Sequence, residues 1–119
     1  MKFMSFDLEI AKQLPEGETD WKRHRPLGIT CAAVAYDGGV EVYSSADREP
    51  MKPYALQWLV RRLDYAAREG YTIVGWNSLQ FDFDVLSESS GDYTDCCRLA
   101  LDHLDLMFLF FCHRGHFLG

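Results

Sequence analysis

Two acidic residues near the start of the chain have a spacing that suits metal binding. The stretch Lys2–Ile10 (KFMSFDLEI) alternates between apolar and polar residues, and Asp7 and Glu9 belong to the polar set. Because successive side chains on a strand point to opposite faces, both carboxylates lie on one face, about 7 Å apart. Oxygen ligands placed in this way can converge on Mg²⁺ or Mn²⁺. The competing interpretation is a half-exposed strand whose polar face is acidic.

A second polar cluster follows a short apolar run later in the chain. The run Tyr71–Trp76 leads into Asn77, whose amide can fix a loop or contact a ligand. We expect Phe81 to be buried and to hold Asp82 at the start of a helix, near the positive end of the helix dipole. Asp84 points in a different direction, so only one of the two carboxylates is expected to reach a site. The competing interpretation gives Asp82 only a helix-capping role, worth about 1 kcal/mol.

Hydrophobic periodicity predicts the elements that place these two clusters. Leu27–Tyr36 is an apolar run typical of a buried strand, and the turn at residues 37–39 (DGG) connects it to a returning strand at Val40–Tyr43. Apolar residues at three- and four-residue steps predict a helix over Tyr54–Glu69. Tyr71–Trp76 predicts the next strand. Strand, hairpin, helix and strand in this order predict a mixed sheet with the helix as a crossover.

The other segments are less sharply defined by their sequence. Helical spacing predicts helices over Phe81–Ser90 and Tyr93–His103. The apolar segment Leu104–Phe111 fits a buried helix and a strand equally well. Gln13–Pro26 is polar and broken by proline and glycine, which predicts a loop at the rim of a site.

Composition limits the class of protein. A chain of 119 residues is long enough for one domain and too short for two, and 48% hydrophobic with 25% charged residues predicts a packed globular core. No apolar run approaches the ~20 residues that span a bilayer, and the acidic start is unlike a secretory signal. We therefore expect a cytoplasmic protein with no membrane contact.

Charge and cysteine content exclude two further classes. The net charge of −6 argues against a protein that grips nucleic acid by neutralising phosphates over a broad surface. It is compatible with an enzyme whose bound metal ions supply positive charge locally. The four cysteines have no CxxC spacing, which argues against a zinc module or a disulfide framework.

The two acidic stretches resemble the first two motifs of the DEDD, or DnaQ-like, 3′–5′ exonucleases of the ribonuclease-H-like superfamily. The sequence Asp7-Leu8-Glu9 at the end of an N-terminal strand is similar to the first motif. The pattern (G)xNxxxFDxxxL, here from Asn77 to Leu86, is similar to the second. The intervening hairpin and helix also come in the family's order. The resemblance covers residues 3–86 well and the remaining residues more loosely.

The resemblance implies an α/β fold, a ribonuclease-H-like mixed sheet with an antiparallel hairpin and parallel strands, flanked by helices. It implies a metal-dependent 3′–5′ exonuclease that hydrolyses terminal phosphodiesters of nucleic acid by a two-metal mechanism. The implied partner is the 3′ end of single-stranded DNA or RNA. The implied catalytic residues and ligands of two Mg²⁺ or Mn²⁺ ions are Asp7, Glu9 and Asp82, with Asp7 bridging both ions. The residues implied to line the pocket for the terminal nucleotide are Leu8, Trp76, Asn77 and Phe81.

The sequence departs from the family after Asp82. The third motif, a Tyr or His followed by a fourth carboxylate on a C-terminal helix, has no match in spacing and order. We therefore expect a single domain over residues 1–119 that lacks its C-terminal helix. Because general-base help is worth about 10²- to 10⁴-fold, turnover is expected to be impaired.

The missing helix also leaves two other functions open. The apolar surface that it would leave exposed is expected to favour a homo-oligomer or another partner. The main alternative is accordingly a non-catalytic module of the same fold that binds nucleic acid or assembles with itself. A structure-specific endonuclease of the same superfamily is a further alternative.

Overall fold

A five-stranded mixed sheet forms the centre of the computed structural model, which describes residues 1–46 and 49–115. The strands are β1 (Lys2–Ile10), β2 (Ile29–Tyr36), β3 (Gly39–Ser44), β4 (Tyr71–Gly75) and β5 (Leu104–Asp105). Their order across the sheet is β3-β2-β1-β4-β5. β2 pairs antiparallel with β1 and with β3, whereas β4 pairs parallel with β1 and with β5. The predicted hairpin and the predicted mixed sheet are confirmed.

Four α-helices and one 3₁₀ helix lie among the described residues. They are the 3₁₀ helix Trp21–His24, α1 (Pro53–Arg68), α2 (Asp82–Ser90), α3 (Tyr93–Asp102) and α4 (Leu106–Arg114). The first three α-helices fall where the sequence predicts them. None of the helices in residues 1–46 and 49–115 is long and apolar enough to cross a membrane.

Two segments differ from the sequence prediction. Gln13–Pro26, predicted as a loop, contains the 3₁₀ helix. Leu104–Phe111, which fits a helix and a strand equally, is both, because β5 ends at Asp105 and α4 begins at the next residue. The Asp105 side chain accepts hydrogen bonds from the backbone N–H groups of Met107 and Phe108 and so caps α4.

The core lies between one face of the sheet and helices α1 to α3. Met4, Phe6 and Leu8 of β1 are buried on this face, as the alternation of apolar residues predicts. The apolar stripe of α1 packs against it and is buried at Leu56, Leu59, Val60, Leu63 and Ala66. Since burying a leucine-sized side chain contributes about 1.5–3 kcal/mol, this face supplies most of the hydrophobic stabilisation.

The opposite face of the sheet carries Asp7 and remains exposed along much of its length. Asp7 pairs with Ala33, and Ala33 pairs with Val42, so these three side chains form a row across the face. Val40 and Val42 are 68% and 69% exposed. The side chains of α4 beside this face are exposed too, among them Leu106, Phe108, Leu109 and Phe110. Apolar side chains are thus exposed on this side of the molecule, while the missing C-terminal helix and the homo-oligomer stay predictions.

Candidate functional site

Asp82 is buried against the backbone of β1, next to Asp7. β4 pairs with β1 only as far as Ser5, so the stretch of β1 around Leu8 lies beyond the end of β4. The N-terminus of α2 occupies this position, and the Asp82 carboxylate accepts a hydrogen bond from the Leu8 N–H. Asp82 is only 5% exposed. Two distant segments of the chain therefore meet at this carboxylate.

The environment of Asp82 opposes its negative charge. Burial, and after it the nearby charge of Asp7, raise the pKa of the Asp82 carboxyl from its ordinary value of 3.8 to about 7. Hydrogen bonds from the N–H groups of Asp82 itself and of Leu8 lower the pKa but do not offset burial. The charge of Asp105 adds a smaller increase. Asp82 thus lies near a second carboxylate and has little contact with solvent.

No cationic side chain neutralises this pair within residues 1–46 and 49–115. Asp7, Glu9 and Asp82 form no ion pair there with lysine, arginine or histidine. Asp84, two residues along α2, contrasts with them because Arg25 Nη2 donates to its Oδ1 at 2.7 Å. A divalent cation is the counter-charge that suits two or three unpaired carboxylates.

Glu9 is placed less closely than Asp7 and Asp82. It lies on the same exposed face of β1 as Asp7, opposite Cys31 of β2. Among the residues that the structure describes, no group of three or more His, Cys, Asp or Glu side chains is arranged to hold a metal ion. The structure therefore brings Asp7 and Asp82 together, and a metal site that includes Glu9 stays a prediction.

Helix capping does not account for the position of Asp82. The N-cap residue of α2 is Phe81, and no side-chain hydrogen bond caps this helix. Asp84, the other carboxylate of the first turn, is directed to Arg25 as described above. Of these two carboxylates, Asp82 is the one that lies against β1, and its part in a site stays a prediction.

A cleft of about 490 Å³ opens on the exposed face of the sheet beside Asp7. Its lining includes Ser5, Asp7, Trp76 and Leu106. Trp76 is 50% exposed, and its ring lies 6.2 Å from that of Phe110 in a tilted arrangement. The cleft therefore combines a carboxylate with an accessible aromatic ring of the kind on which bases can stack.

The other three residues expected to line a nucleotide pocket are placed differently from Trp76. The Leu8 side chain is buried in the core, so that Leu8 offers its backbone N–H. The Phe81 ring packs edge-on against Trp21, with 5.0 Å between ring centroids. Asn77 has a left-handed backbone with φ 55°, and its buried Oδ1 has no hydrogen-bond partner in the described structure.

The loop that precedes Asp82 is fixed by two residues whose roles the sequence does not indicate. Asp105 accepts hydrogen bonds from the backbone N–H groups of Asn77 and Leu79, at 2.9 and 3.0 Å. His103 Nε2 lies 2.7 Å from Ser78 Oγ. The sequence offers only a weak signal for these contacts. His103 and Asp105 are two polar residues that flank Leu104 at the start of an apolar segment.

Comparison of the sequence with protein-family models and with curated proteins gives no match. Among solved structures, the chain is similar to the family B DNA polymerase from the hyperthermophilic archaeon Pyrobaculum calidifontis, with a TM-score of 0.53 and 22% identity over 76% of this chain. It is similar to Exonuclease I in its apo form, with a TM-score of 0.50 and 19% identity over 94% of this chain. It is also similar to the ExoI/SSB-Ct complex, with a TM-score of 0.51 and 17% identity over 96% of this chain.

The fold is ribonuclease-H-like. This conclusion rests on the mixed sheet and its flanking helices, which match those structures at low sequence identity. The chain spans 11% of the polymerase chain and 30% of the Exonuclease I chain. The likeness therefore concerns the fold and leaves activity and substrate to the chemistry of the site.

Proposed function

We propose that this chain is a metal-dependent 3′–5′ exonuclease-like domain of the DEDD type that hydrolyses terminal phosphodiesters of single-stranded nucleic acid. The observation that carries the proposal is the burial of Asp82 beside Asp7, with no cationic side chain of the described residues paired to either. Two carboxylates held together in this way are destabilised until a cation joins them. The resemblance of both motifs to that family, and the ribonuclease-H-like fold, support the same function.

Each acidic residue has a defined role in this proposal. Asp7 and Asp82 hold divalent cations, and Glu9, on the same face of β1 as Asp7, completes the ligand set. When bound, Mg²⁺ or Mn²⁺ supplies a water of lowered pKa and stabilises the charge on the departing 3′ oxygen. The Leu8 N–H keeps the Asp82 carboxylate directed at β1, where it would hold a divalent cation.

The exposed ring of Trp76 gives the cleft a surface for the terminal base. Aromatic rings stack on any base, so a site built on Trp76 tolerates all four nucleotides. Asn77 follows it, and because its Oδ1 is buried without a hydrogen-bond partner in the described structure, its place in the lining of the pocket stays a prediction. Phe81 supports the loop that carries Asn77 through its contact with Trp21.

The test is degradation of a single-stranded oligonucleotide labelled at its 3′ end, with Mg²⁺ or Mn²⁺, by wild type and by Asp82→Asn. We expect loss of label with wild type and at least a hundredfold slower loss with Asp82→Asn. Asp84→Asn is the matched control, because this carboxylate lies on the same helix turn but is paired with Arg25. Equal rates for wild type and Asp82→Asn would refute the role of Asp82, and a 5′-labelled strand establishes the direction.

A non-catalytic module that assembles through the exposed face is the second candidate. The observation that favours it is the exposure of Val40, Val42 and the apolar residues of α4 on one side of the molecule. Wild type that degrades neither DNA nor RNA, binds no Mn²⁺ and sediments as a stable oligomer would establish this function in place of the exonuclease. Parallel DNA and RNA oligonucleotides in the same assay identify the preferred substrate.

A further inference from the structure

A buried carboxylate at the junction of β5 and α4 lies directly beside the loop that carries Asp82. Asp105 is 6% exposed and pairs with Gly75, the last residue of β4, across the parallel β4–β5 ladder. The chain leaves β4 at this point and turns towards α2. Asp105 is therefore placed where the loop begins, 26 to 28 residues away along the sequence.

Both oxygens of Asp105 are occupied by backbone donors. Oδ1 accepts from the N–H groups of Asn77, Met107 and Phe108 at 2.9, 3.1 and 3.3 Å, and Oδ2 accepts from Leu79 at 3.0 Å. Four N–H donors are as many as a carboxylate commonly accepts. Asp105 is thus committed to the backbone and is not free to act as a metal ligand.

The hydrogen bonds made by the loop carry this restraint on to Asp82. Asn77 O accepts from the N–H of Phe81 at 3.1 Å, and Ser78 O accepts from the N–H of Phe83 at 3.0 Å. These two donors are the residues on either side of Asp82. A loop held at Asn77 therefore fixes the backbone from which the Asp82 side chain projects.

We propose that Asp105 is a positioning residue for Asp82: it holds the turn at Asn77 and Leu79 so that the Asp82 carboxylate meets the Leu8 N–H beside Asp7. This inference rests on the proposed function insofar as the position of Asp82 matters for metal binding. The left-handed backbone of Asn77 (φ 55°) is one that non-glycine residues adopt at a cost, and the Asp105 hydrogen bond stabilises it.

A second contact fixes the same turn, from the residue between α3 and β5. His103 Nδ1 lies 2.6 Å from the Ala100 carbonyl, which can only accept, so Nδ1 donates. In the neutral ring Nε2 then accepts from Ser78 Oγ at 2.7 Å. Ser78 is fully buried against Gly75, where a β-carbon would approach its Cβ to 2.6 Å. Because the buried Ser78 hydroxyl is out of reach of a substrate, the Ser78–His103 pair also serves to position the loop.

The decisive variant is Asp105→Asn, which keeps the shape of the side chain but replaces one acceptor oxygen by an amide that cannot accept from an N–H. Asp102→Asn is the matched control, an exposed carboxylate at the end of α3. NMR of the metal-free proteins gives the hydrogen exchange of Leu79 and the amide proton shift of Leu8, which reports the contact with Asp82. Manganese titration followed by electron paramagnetic resonance then measures the metal affinity.

With Asp105→Asn we expect at least tenfold faster exchange at Leu79, an upfield shift of the Leu8 proton and a 10- to 100-fold loss of Mn²⁺ affinity. In turnover assays kcat falls and KM is unchanged, while Asp102→Asn matches wild type. An unchanged Leu8 shift in folded Asp105→Asn overturns the positioning role. Should that variant not fold, Asp105→Glu gives the same readouts, because it keeps both acceptor oxygens but displaces them by one methylene from the loop. A shift at Leu8 is then expected, and no shift contradicts the inference.

The metal-free readouts also separate this inference from the proposed function. Wild type that binds no Mn²⁺ refutes the proposed function. The Leu8 shift still decides in that case whether Asp105 positions Asp82. Conversely, if wild type and Asp105→Asn bind Mn²⁺ with equal affinity, the positioning role of Asp105 is contradicted and the proposed function is not.

Discussion

Asp82 and Asp105 are two carboxylates buried to nearly the same extent, 5% and 6% exposed, in opposite surroundings. Asp105 accepts four backbone hydrogen bonds and joins β5, α4 and the loop before α2. Asp82 accepts from Leu8 and from its own N–H, and it faces the negative charge of Asp7. Burial alone therefore does not identify a functional acid. The distinguishing property is whether the protein itself supplies enough donors for the charge.

The largest difference between the two residues is expected on truncation. Asp105→Ala leaves several backbone N–H groups buried without an acceptor and removes the cap of α4, so we expect a loss of about 3–5 kcal/mol in the free energy of unfolding. Asp82→Ala removes a carboxylate that its neighbours oppose, and at pH 8 without metal it should stay within about 1 kcal/mol of wild type. Urea denaturation measures both, and equal losses would abolish the distinction.

The pH dependence of stability is expected to follow Asp82. The pKa of this carboxyl is raised to about 7 in the folded chain from its ordinary value of 3.8, so between these two values the folded state holds a proton that the unfolded state has lost. Stability of the metal-free protein therefore falls as the pH rises from about 4 to 7, by about 2–4 kcal/mol from this residue. In Asp82→Asn this contribution is absent. If the free energy of unfolding changes by the same amount between pH 5 and pH 8 in wild type and in Asp82→Asn, the account is contradicted.

A smaller effect is expected for the hydroxyl that supports the Asp105 loop. Ser78→Ala removes the hydrogen bond to His103 and leaves the buried Nε2 without its donor, which should cost about 1–2 kcal/mol. The four bonds to Asp105 remain, so the loss should be less than half of that for Asp105→Ala. A loss as large as that of Asp105→Ala would make His103 the main support of the loop. Chemical denaturation of the two variants side by side decides between them.

The smallest effect is expected for Asp84, a carboxylate whose charge is paired with Arg25, which also pairs with Glu88. Its ion pair with Arg25 is partly exposed, with side-chain exposures of 28% and 30%. Pairs of this kind contribute about 0.2–1 kcal/mol, and Asp84→Asn should lose no more than that. A loss of several kcal/mol in a thermal melt would show that Asp84 belongs with Asp105 as a structural residue.

Local patterns predicted most of the elements that place Asp7 and Asp82. Alternation located β1 to the residue, and the 3.6-residue period located α1 to within one residue at each end. The order of strand, hairpin, helix and strand predicted the mixed sheet, because a parallel partner for β1 requires a crossover. Asp82 begins α2, one residue after the predicted start of this helix at Phe81.

The contacts around Asp105 were beyond local reasoning because they join segments 26 to 28 residues apart. Nothing in the residues near Asp105 distinguishes an acceptor of distant N–H groups from an ordinary helix cap. The division of Leu104–Phe111 into β5 and α4 could not be predicted from the sequence for a related reason. β4 fixes the two residues of β5 by pairing, whereas the apolar run itself favours helix and strand equally.

The central claim is that Asp7 and Asp82 form a site that a divalent cation completes. Its most direct test is the melting temperature of wild type and Asp82→Asn at pH 8, with and without millimolar Mn²⁺. Binding to the folded state alone at a hundred times Kd stabilises by about 2.7 kcal/mol, which for a domain of this size raises the melting temperature by roughly 10 °C. We expect that rise for wild type and none for Asp82→Asn. No rise in wild type, or the same rise in both proteins, would contradict the claim.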